Sequence, residues 1–523
     1  MSALLFHGGR VHVADGRSVE ALVARDGWVV AIGDARALGR EHVDAERVDL
    51  RGGLMVPGWM DAHVHFVWWA LQMHQLDLRD AATLEEALAL VERYAGSLPE
   101  GAWILGGRFD KNPWGRWPTA RDLDRVTGGR PAVLRSRDGH ARWANTEALR
   151  RAGITRAVAA PPGGAIERHA SGEPSGVFKE NANGLVDAAV PPPGPDERYA
   201  AARLGQGEAW KRGLTGIGTL DSTGGAIPLD AFERLRERGE LGLRVAMGLP
   251  HRGLDAAIAL GLRTGFGDEW LRIGPLKIFT DGALGSQTAA LEEPYAGTAD
   301  RGILTVDPEA LNADVARAAA AGIAIAIHAI GDRAVRVALD AIAPTRALAP
   351  ALRQRVEHVQ LVREEDLGRF GDLGVVASMQ PIHATSDRDL ADRYWGARTA
   401  RAYPWRTLTE RGARLAFGSD APVEPIDPLL GIHAAVARRR PGDASRWHPE
   451  QALTLDEALA AYASGTAYAL GRERELGTLA AGMRCDATVV DRDLATADEP
   501  GLLDARVRAT VVGGVVRYAD GLD

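Results

Sequence analysis

Two histidines, His63 and His65, close an apolar run that reads Val-Pro-Gly-Trp-Met-Asp-Ala-His-Val-His-Phe over residues 56–66. In a strand, residues i and i+2 face the same way. The two imidazoles then stand about 7 Å apart on one face and can converge on one metal ion. Alone the pair is a weak signal, because two histidines can simply share a strand. Other apolar runs end in polar residues as well. Lys277 lies within Leu-Lys-Ile-Phe-Thr-Asp-Gly, His328 ends the run 323–327, His358 follows Arg355-Val356-Glu357, and Asp420 ends the run 415–419. A buried ionisable group is retained when it is paired or binds metal. Any one of these could be a satisfied core group. Together they point to a metal centre.

Such residues must be held by a frame, and the sequence pattern indicates which. Strand-like runs at 54–65, 214–221, 241–249, 271–281, 322–328, 355–359, 374–379 and 413–420 alternate with amphipathic helical stretches at 199–212, 229–238, 308–321, 332–342, 364–370 and 428–438. That alternation indicates βα units and a parallel sheet. Eight such units predict an α/β fold of the (β/α)8 TIM-barrel type, with its active site at the C-terminal strand ends. The candidate ligands end the first, fourth, fifth, sixth and eighth runs.

The first and second runs are separated by residues 71–194, too long a stretch for a loop. It has its own helix signal at 84–94 and strand signals at 102–106 and 132–136, and is expected to be an inserted subdomain over the active site. Residues 3–50 read as short antiparallel strands joined by Gly8-Gly9, Asp15-Gly16 and Asp26-Gly27. The C-terminus has the same texture around Gly513-Gly514. Neither end can bury a core alone. The expected division is therefore a composite β-sandwich from 1–53 and 470–523, a barrel from 54–70 and 195–469, and the insert at 71–194.

Bulk properties narrow the function further. The chain has 523 residues, 46% of them hydrophobic and 25% charged, as in an ordinary globular protein. A net charge of −8 without basic clusters argues against nucleic acid or a polybasic membrane contact. The single cysteine, Cys485, excludes an intramolecular disulfide and a Cys-based zinc cluster. With neither a signal-peptide pattern nor a long apolar run, a cytoplasmic location is expected. A homodimer is the base-rate expectation.

The motifs also resemble a known family. Pro-Gly-x-x-Asp-Ala-His-x-His at 57–65 and Gly-Ser-Asp at 418–420 resemble the strand-1 and strand-8 signatures of the amidohydrolase superfamily. More narrowly, the chain resembles the YtcJ-like branch, amidohydrolase family 3, which includes N-substituted formamide deformylases. The matching blocks are Asp138-Gly139-His140-Ala141 with Asn145, residues 277–286, 328–332, Glu357-His358, Gln380-Pro381-Ile382-His383, 403–406, 418–423 and 477–479. One departure, Cys485 before Asp486-Ala487, lies outside the active-site blocks.

The resemblance implies that His63 and His65 bind a buried metal with Asp420, that His328 and His358 bind a second, and that Lys277 bridges them as an N6-carboxylated lysine. Two Zn2+ ions are the implied cofactors, with Mn2+, Fe2+ or Ni2+ able to fill the same shell. The unmodified alternative is a Lys277 ammonium paired with Asp281 or Asp420. The implied reaction is cleavage of a non-peptide C–N bond, in an N-substituted amide or formamide, by a metal-activated hydroxide with Asp420 as proton shuttle. A deaminase, a cyclic amidase or an esterase/lactonase on the same barrel, and a non-enzymatic metal-binding regulator, are the alternatives.

Candidate substrate-facing residues are Asp138, His140 and Arg142 of the insert, Trp114 and Trp117, Gln380 and His383 after the seventh run, and more weakly Arg388 and Arg406. Trp68, Trp69 and His74 could line the pocket or pack the insert. Asp281 is a candidate support for Lys277.

Overall fold

The computed structural model describes residues 3–14, 17–73, 75–221, 228–497 and 499–522. The expected Asp15-Gly16 turn and His74 fall outside the described residues. An eight-stranded parallel sheet curls into a nearly closed barrel. Its strands, in chain order, are Trp59–Val64, Leu214–Thr219, Arg244–Pro250, Leu271–Phe279, Ile325–Ala329, Arg355–His358, Val376–Met379 and Arg414–Phe417. Each pairs in parallel with its successor, as strands linked by helical crossovers must. The eighth and first strands meet at their C-terminal ends. There Asp420 N–H donates to the His63 carbonyl at 2.7 Å, and the Ser419 hydroxyl donates to Asp61 Oδ2 at 2.5 Å. The run 323–327 is buried throughout because barrel side chains on one face and helices on the other cover it.

The helices Pro195–Trp210, Leu229–Glu237, Pro308–Ala320, Asp332–Ile342 and Pro428–Ala437 are close to the expected stretches. In Asp332–Ile342, Val335, Leu339 and Ile342 are buried and Asp340 is exposed, the stripe of a helix covering a sheet. The expected helix at 364–370 is instead Glu364–Leu367 and Arg369–Leu373, divided at Gly368, a poor helix former.

The expected first strand, 54–65, is corrected to two. Leu54–Pro57 pairs with Arg10–Ala14 and with Ala487–Val490, in a six-stranded sheet that also takes Arg17–Val19, Val507–Val512 and Val515–Ala519. Trp59–Val64 belongs to the barrel. Gly58 is the crossing point. A Cβ there would lie 2.5 Å from the buried Thr215 side chain and 3.0 Å from the Asp486 carbonyl carbon. Gly58→Ala is expected to destabilise the protein by about 1–3 kcal/mol through overpacking. An unchanged urea midpoint would contradict this.

The N-terminal segment is also more mixed than an antiparallel unit. It contains the helix Ala35–Glu41, and Glu46–Asp49 pairs parallel to Ala3–His7 in a four-stranded sheet. The two terminal sheets share one apolar cluster that includes Phe6, Leu22, Val11, Met55, Val489 and Val511.

Between the first two barrel strands the chain builds a separate six-stranded sheet, ordered Gly164–Arg168, Pro174–Glu180, Ala141–Ala144, Ala132–Ser136, Ile104–Phe109 and Leu76–Asp77. The helix Leu84–Ser97 packs on it and starts at a Thr83/Glu86 capping box. Among the described residues, no helix is long and apolar enough to cross a membrane.

Candidate active site

The C-terminal ends of the barrel strands open into a cavity of about 780 Å³, a size that suits a small molecule. His63, His65, Lys277, His328, His358 and Asp420 all face it, as does His383. Every one of these residues is buried. Strand geometry explains the convergence, since the ends of parallel strands in a closed sheet point at one axis.

The hydrogen bonds fix which ring nitrogens are free. Glu357, a carboxylate that can only accept, lies 2.7 Å from His63 Nδ1. His63 therefore carries its proton on Nδ1 and presents the Nε2 lone pair to the site. Gln380 Oε1 accepts from His358 Nδ1 at 2.8 Å and turns the His358 Nε2 lone pair inward in the same way. His328 Nε2 lies 3.0 Å from the Gly282 carbonyl and must donate to it, which leaves Nδ1 as the free nitrogen. His65 Nε2 lies 3.3 Å from Asp420 Oδ1, and His65 Nδ1 is buried without a hydrogen-bond partner among the described residues.

Electrostatics keep His63, His328 and His358 neutral, as ligation requires. Burial and the Lys277 ammonium lower His63 to about 3, against the pull of Asp420 and Glu357. Burial and the His328 ring hold His358 well below the usual histidine range. Burial would raise the Asp420 carboxyl, but the surrounding His63, His383, His65 and His358 rings hold it well below the usual range. Burial lowers Lys277 to about 8, against Glu357 and Asp420.

The donor set fits a divalent ion. The ligand atoms of His63, His65 and Asp420 lie within 4.8 Å of one another, and so do those of His358, His383 and Asp420. Imidazole nitrogens with oriented lone pairs plus a carboxylate are the ligands that zinc and its neighbours take. The ring centroids of His328 and His358 are 4.5 Å apart, so the implied second pair is also brought together. Lys277 Nζ lies 3.4 Å from His63 Nε2, and its hydrogen-bond contact is with that ring rather than with a carboxylate.

Other expected residues divide. Asp138 accepts from the hydroxyls of Ser136 and Ser286 and lines the cavity. His140 Nδ1 meets Glu180 at 2.8 Å, and its ring centroid is 5.1 Å from that of His328. Burial would lower His140, but Glu180 raises it to about 9. Trp117, Trp68 and Arg142 line the cavity, and Arg142 is paired with Asp187. His383, expected to meet substrate, sits 3.4 Å from Asp420 Oδ2 and so has a ligand's position as well.

Five placements correct the expectation. Trp114 is stacked on Phe109 and donates to the Ala81 carbonyl, inside the insert's apolar core where a large aromatic has most to bury. Gln380 stands behind His358 and serves its tautomer. Arg406 pairs with Glu457, and Arg388 with Asp443, so each charge is satisfied away from the cavity lining. Asp281 accepts backbone N–H bonds from Ala290, Ile330 and Gly331 and lies 3.3 Å from His328 Nε2, supporting His328 rather than Lys277. Trp69, by contrast with Trp68, packs against Phe66.

The supports that residue-type reasoning passed over are Arg355, Glu357 and Asp61. Arg355 and Glu357 are spaced i, i+2 in a fully buried strand, so one face carries both charges. That pattern was readable. Asp61 accepts from the His63 N–H two residues on and from Ser419, which only the meeting of the first and eighth barrel strands brings to it.

Comparison with known proteins agrees with this geometry. A model of the amidohydrolase family matches residues 46–518. The Bacillus subtilis (strain 168) protein YtcJ, named as an amidohydrolase, is 31% identical over 98% of this chain and 99% of its own. N-substituted formamide deformylase of Arthrobacter pascens is 29% identical over 99% of this chain and 98% of its own. The crystal structure of an uncharacterized metal-dependent hydrolase from Pyrococcus furiosus superposes with a TM-score of 0.75 at 28% identity, covering 94% of this chain and 100% of that one.

Proposed function

The chain belongs to the amidohydrolase family, and from that premise we propose that it hydrolyses the C–N bond of an N-substituted amide or formamide at a divalent metal centre. The observation that carries this reading is the buried convergence of His63, His65 and Asp420, with the free nitrogen of His63 oriented by Glu357. The relative named as an N-substituted formamide deformylase supports the substrate class.

A divalent ion bound there would lower the pKa of a water towards neutrality and polarise a carbonyl oxygen. The residues supply the rest. His63 and His65 hold one position with Asp420. His358, with His328 or His383, holds a second, for which zinc is the proposed ion. Asp420 stays ionised at neutral pH, so its carboxylate can take the proton of an attacking water and return it to the leaving nitrogen. His140 has Nδ1 engaged by Glu180, which leaves an Nε2–H on the cavity side as a donor for the substrate carbonyl oxygen. Lys277, lowered to about 8, has a neutral fraction whose Nζ can bond to the carbon of CO2. The carbamate so formed, with loss of the amine proton, would offer anionic oxygens to both positions.

Metal analysis of protein purified without chelator, paired with a screen of N-formyl, N-acyl and ester substrates, tests this. About 1–2 ions per chain are expected, with turnover that a chelator abolishes and added Zn2+ restores. Fewer than ~0.3 ions per chain, with activity intact in His63→Ala, would overturn it. Intact-mass analysis of metal-loaded protein should show one added CO2, and its absence would remove the carbamate alone.

A further inference from the structure

The loop after Ile104–Phe109 brings Lys111 to the wall of the same cavity. Its ammonium lies 5.3 Å from the Trp117 ring centroid and 5.9 Å from that of Tyr394. An ammonium has three donor positions. The contact that Lys111 Nζ makes is a 3.4 Å approach to Gln287 Oε1, long for a hydrogen bond. Among the described residues, no carboxylate forms an ion pair with it.

The neighbouring groups are already committed. Asp110 Oδ1 accepts from the backbone and side-chain N–H of Asn112, at 2.8 and 2.7 Å. Asp138 takes the Ser136 and Ser286 hydroxyls. Lys179, also over the Trp117 ring, is paired with Glu167 at 2.6 Å. Three of the other cavity cations are paired as well, Arg137 with Glu424, Arg142 with Asp187 and Arg440 with Asp389. Lys179 and Arg393 add a field of the same sign around Lys111, which the Asp110 and Asp138 carboxylates oppose without forming an ion pair with it. The loop is anchored next to Lys111 by Asn112, whose Oδ1 accepts from the Tyr394 hydroxyl at 3.1 Å.

A partly desolvated cation with unused donors, in a cavity open to small molecules, is poised for an anion. We infer that the substrate carries a carboxylate and that Lys111 binds it, with Trp117 and Tyr394 flanking the contact. This rests on the hydrolase reading of the same cavity and names the class of molecule turned over: an amide whose body ends in an acidic group. Burial and the Lys179 charge lower the Lys111 pKa, against the pull of Asp110 and Asp138.

The test uses the metal-loaded protein and two ladders of ω-amino acids, from glycine to 6-aminohexanoate, each compound paired with its primary-amide counterpart. One ladder is N-formylated and reports kcat/KM. The other is N-methylsulfonylated, cannot be hydrolysed and reports Kd by calorimetry. In at least one rung the carboxylate is expected to bind about tenfold or more tightly than the amide, the difference a charge-assisted hydrogen bond makes. Lys111→Met should erase that ratio and Lys111→Arg should keep most of it, with the affinity of the neutral members unchanged. Equal binding of acid and amide in every rung, no binding of either, or a preference that survives Lys111→Met would each overturn the proposal. Carboxylate-selective binding of the sulfonamides with no turnover of any formamide would instead count against the formamide reading and leave the anion site standing.

Discussion

Asp420→Asn is expected to lower kcat/KM by about 10³-fold or more, at the scale of losing a positioned acid–base group. Asparagine is the informative replacement. Asp420 has a φ of 57°, a left-handed conformation that Asn tolerates better than other side chains. The bond that ties the barrel ends, from the Asp420 N–H to the His63 carbonyl, uses the backbone and survives. The change therefore removes the carboxylate with little disturbance of the strand end. Two effects then have to be told apart. An amide binds metal more weakly than a carboxylate, and it cannot take a proton at all. Measuring bound metal on the samples used for kinetics separates them. At full metal occupancy the rate defect should persist. A fully loaded variant that keeps more than about a tenth of wild-type kcat/KM would exclude Asp420 as the proton shuttle.

The second large effect is expected at Glu357, which is fully buried behind His63 and does not line the cavity. Its carboxylate lies between Arg355 Nε, at 2.5 Å, and His63 Nδ1, at 2.7 Å, and both Arg355 and Glu357 are fully buried. Arg355 also donates to the Ala62 carbonyl, one residue before His63. Glu357→Ala leaves the guanidinium buried without its counter-charge, which is expected to cost about 3–5 kcal/mol. It also frees His63 to take the wrong tautomer, and loss of such a partner typically lowers metal affinity by about 10–100-fold. Glu357→Gln keeps the volume but loses the charge. Its amide can satisfy His63 or Arg355 but not both as acceptor, so a smaller loss of stability is expected with a similar loss of metal affinity. Urea unfolding and competition with a metal indicator read the two quantities. Wild-type values of both in Glu357→Ala would remove Glu357 from any supporting role.

The same residue sets a pH signature. Burial would raise the Glu357 carboxyl, but Arg355 and His63 lower it to about 2 from an ordinary 4.5. A carboxyl depressed on folding stabilises fully above its unfolded pKa, and that contribution is lost as pH falls through the folded value. The stability gap between wild type and Glu357→Gln should therefore be widest above pH ~4.5 and close as the pH is lowered towards ~2. A gap that widens on acidification would show that the sign is wrong.

Much of this arrangement was legible in the chain itself. Eight apolar runs spaced by amphipathic stretches specify strands and helices locally, because side-chain periodicity is a property of neighbouring residues. His63, His65, His328, His358 and Asp420 could be singled out for the same reason, since each ends such a run. Lys277 stood out as a charge inside one. Partners distant in sequence were not legible. Gln380 and Trp114 looked like substrate groups by residue type, but one sets the tautomer of His358 and the other fills a core. His383 and Asp281 likewise acquired their neighbours, Asp420 and His328, only through folding. The division of the run 54–65 between two sheets could not be read from its even hydrophobicity, because Gly58 matters through what Thr215 and Asp486 place against it.

The sequence by itself thus determined the candidate ligands His63, His65, His328, His358 and Asp420 and the strands that carry them. The tertiary structure alone decided which nitrogen of His63, His328 and His358 is free and which of the cavity's charges are already paired. The physical reason is range. Periodicity and residue type act over a few positions of chain, whereas protonation state and charge balance depend on groups hundreds of residues apart, such as His63 and Glu357, that only the closed barrel brings within 2.7 Å.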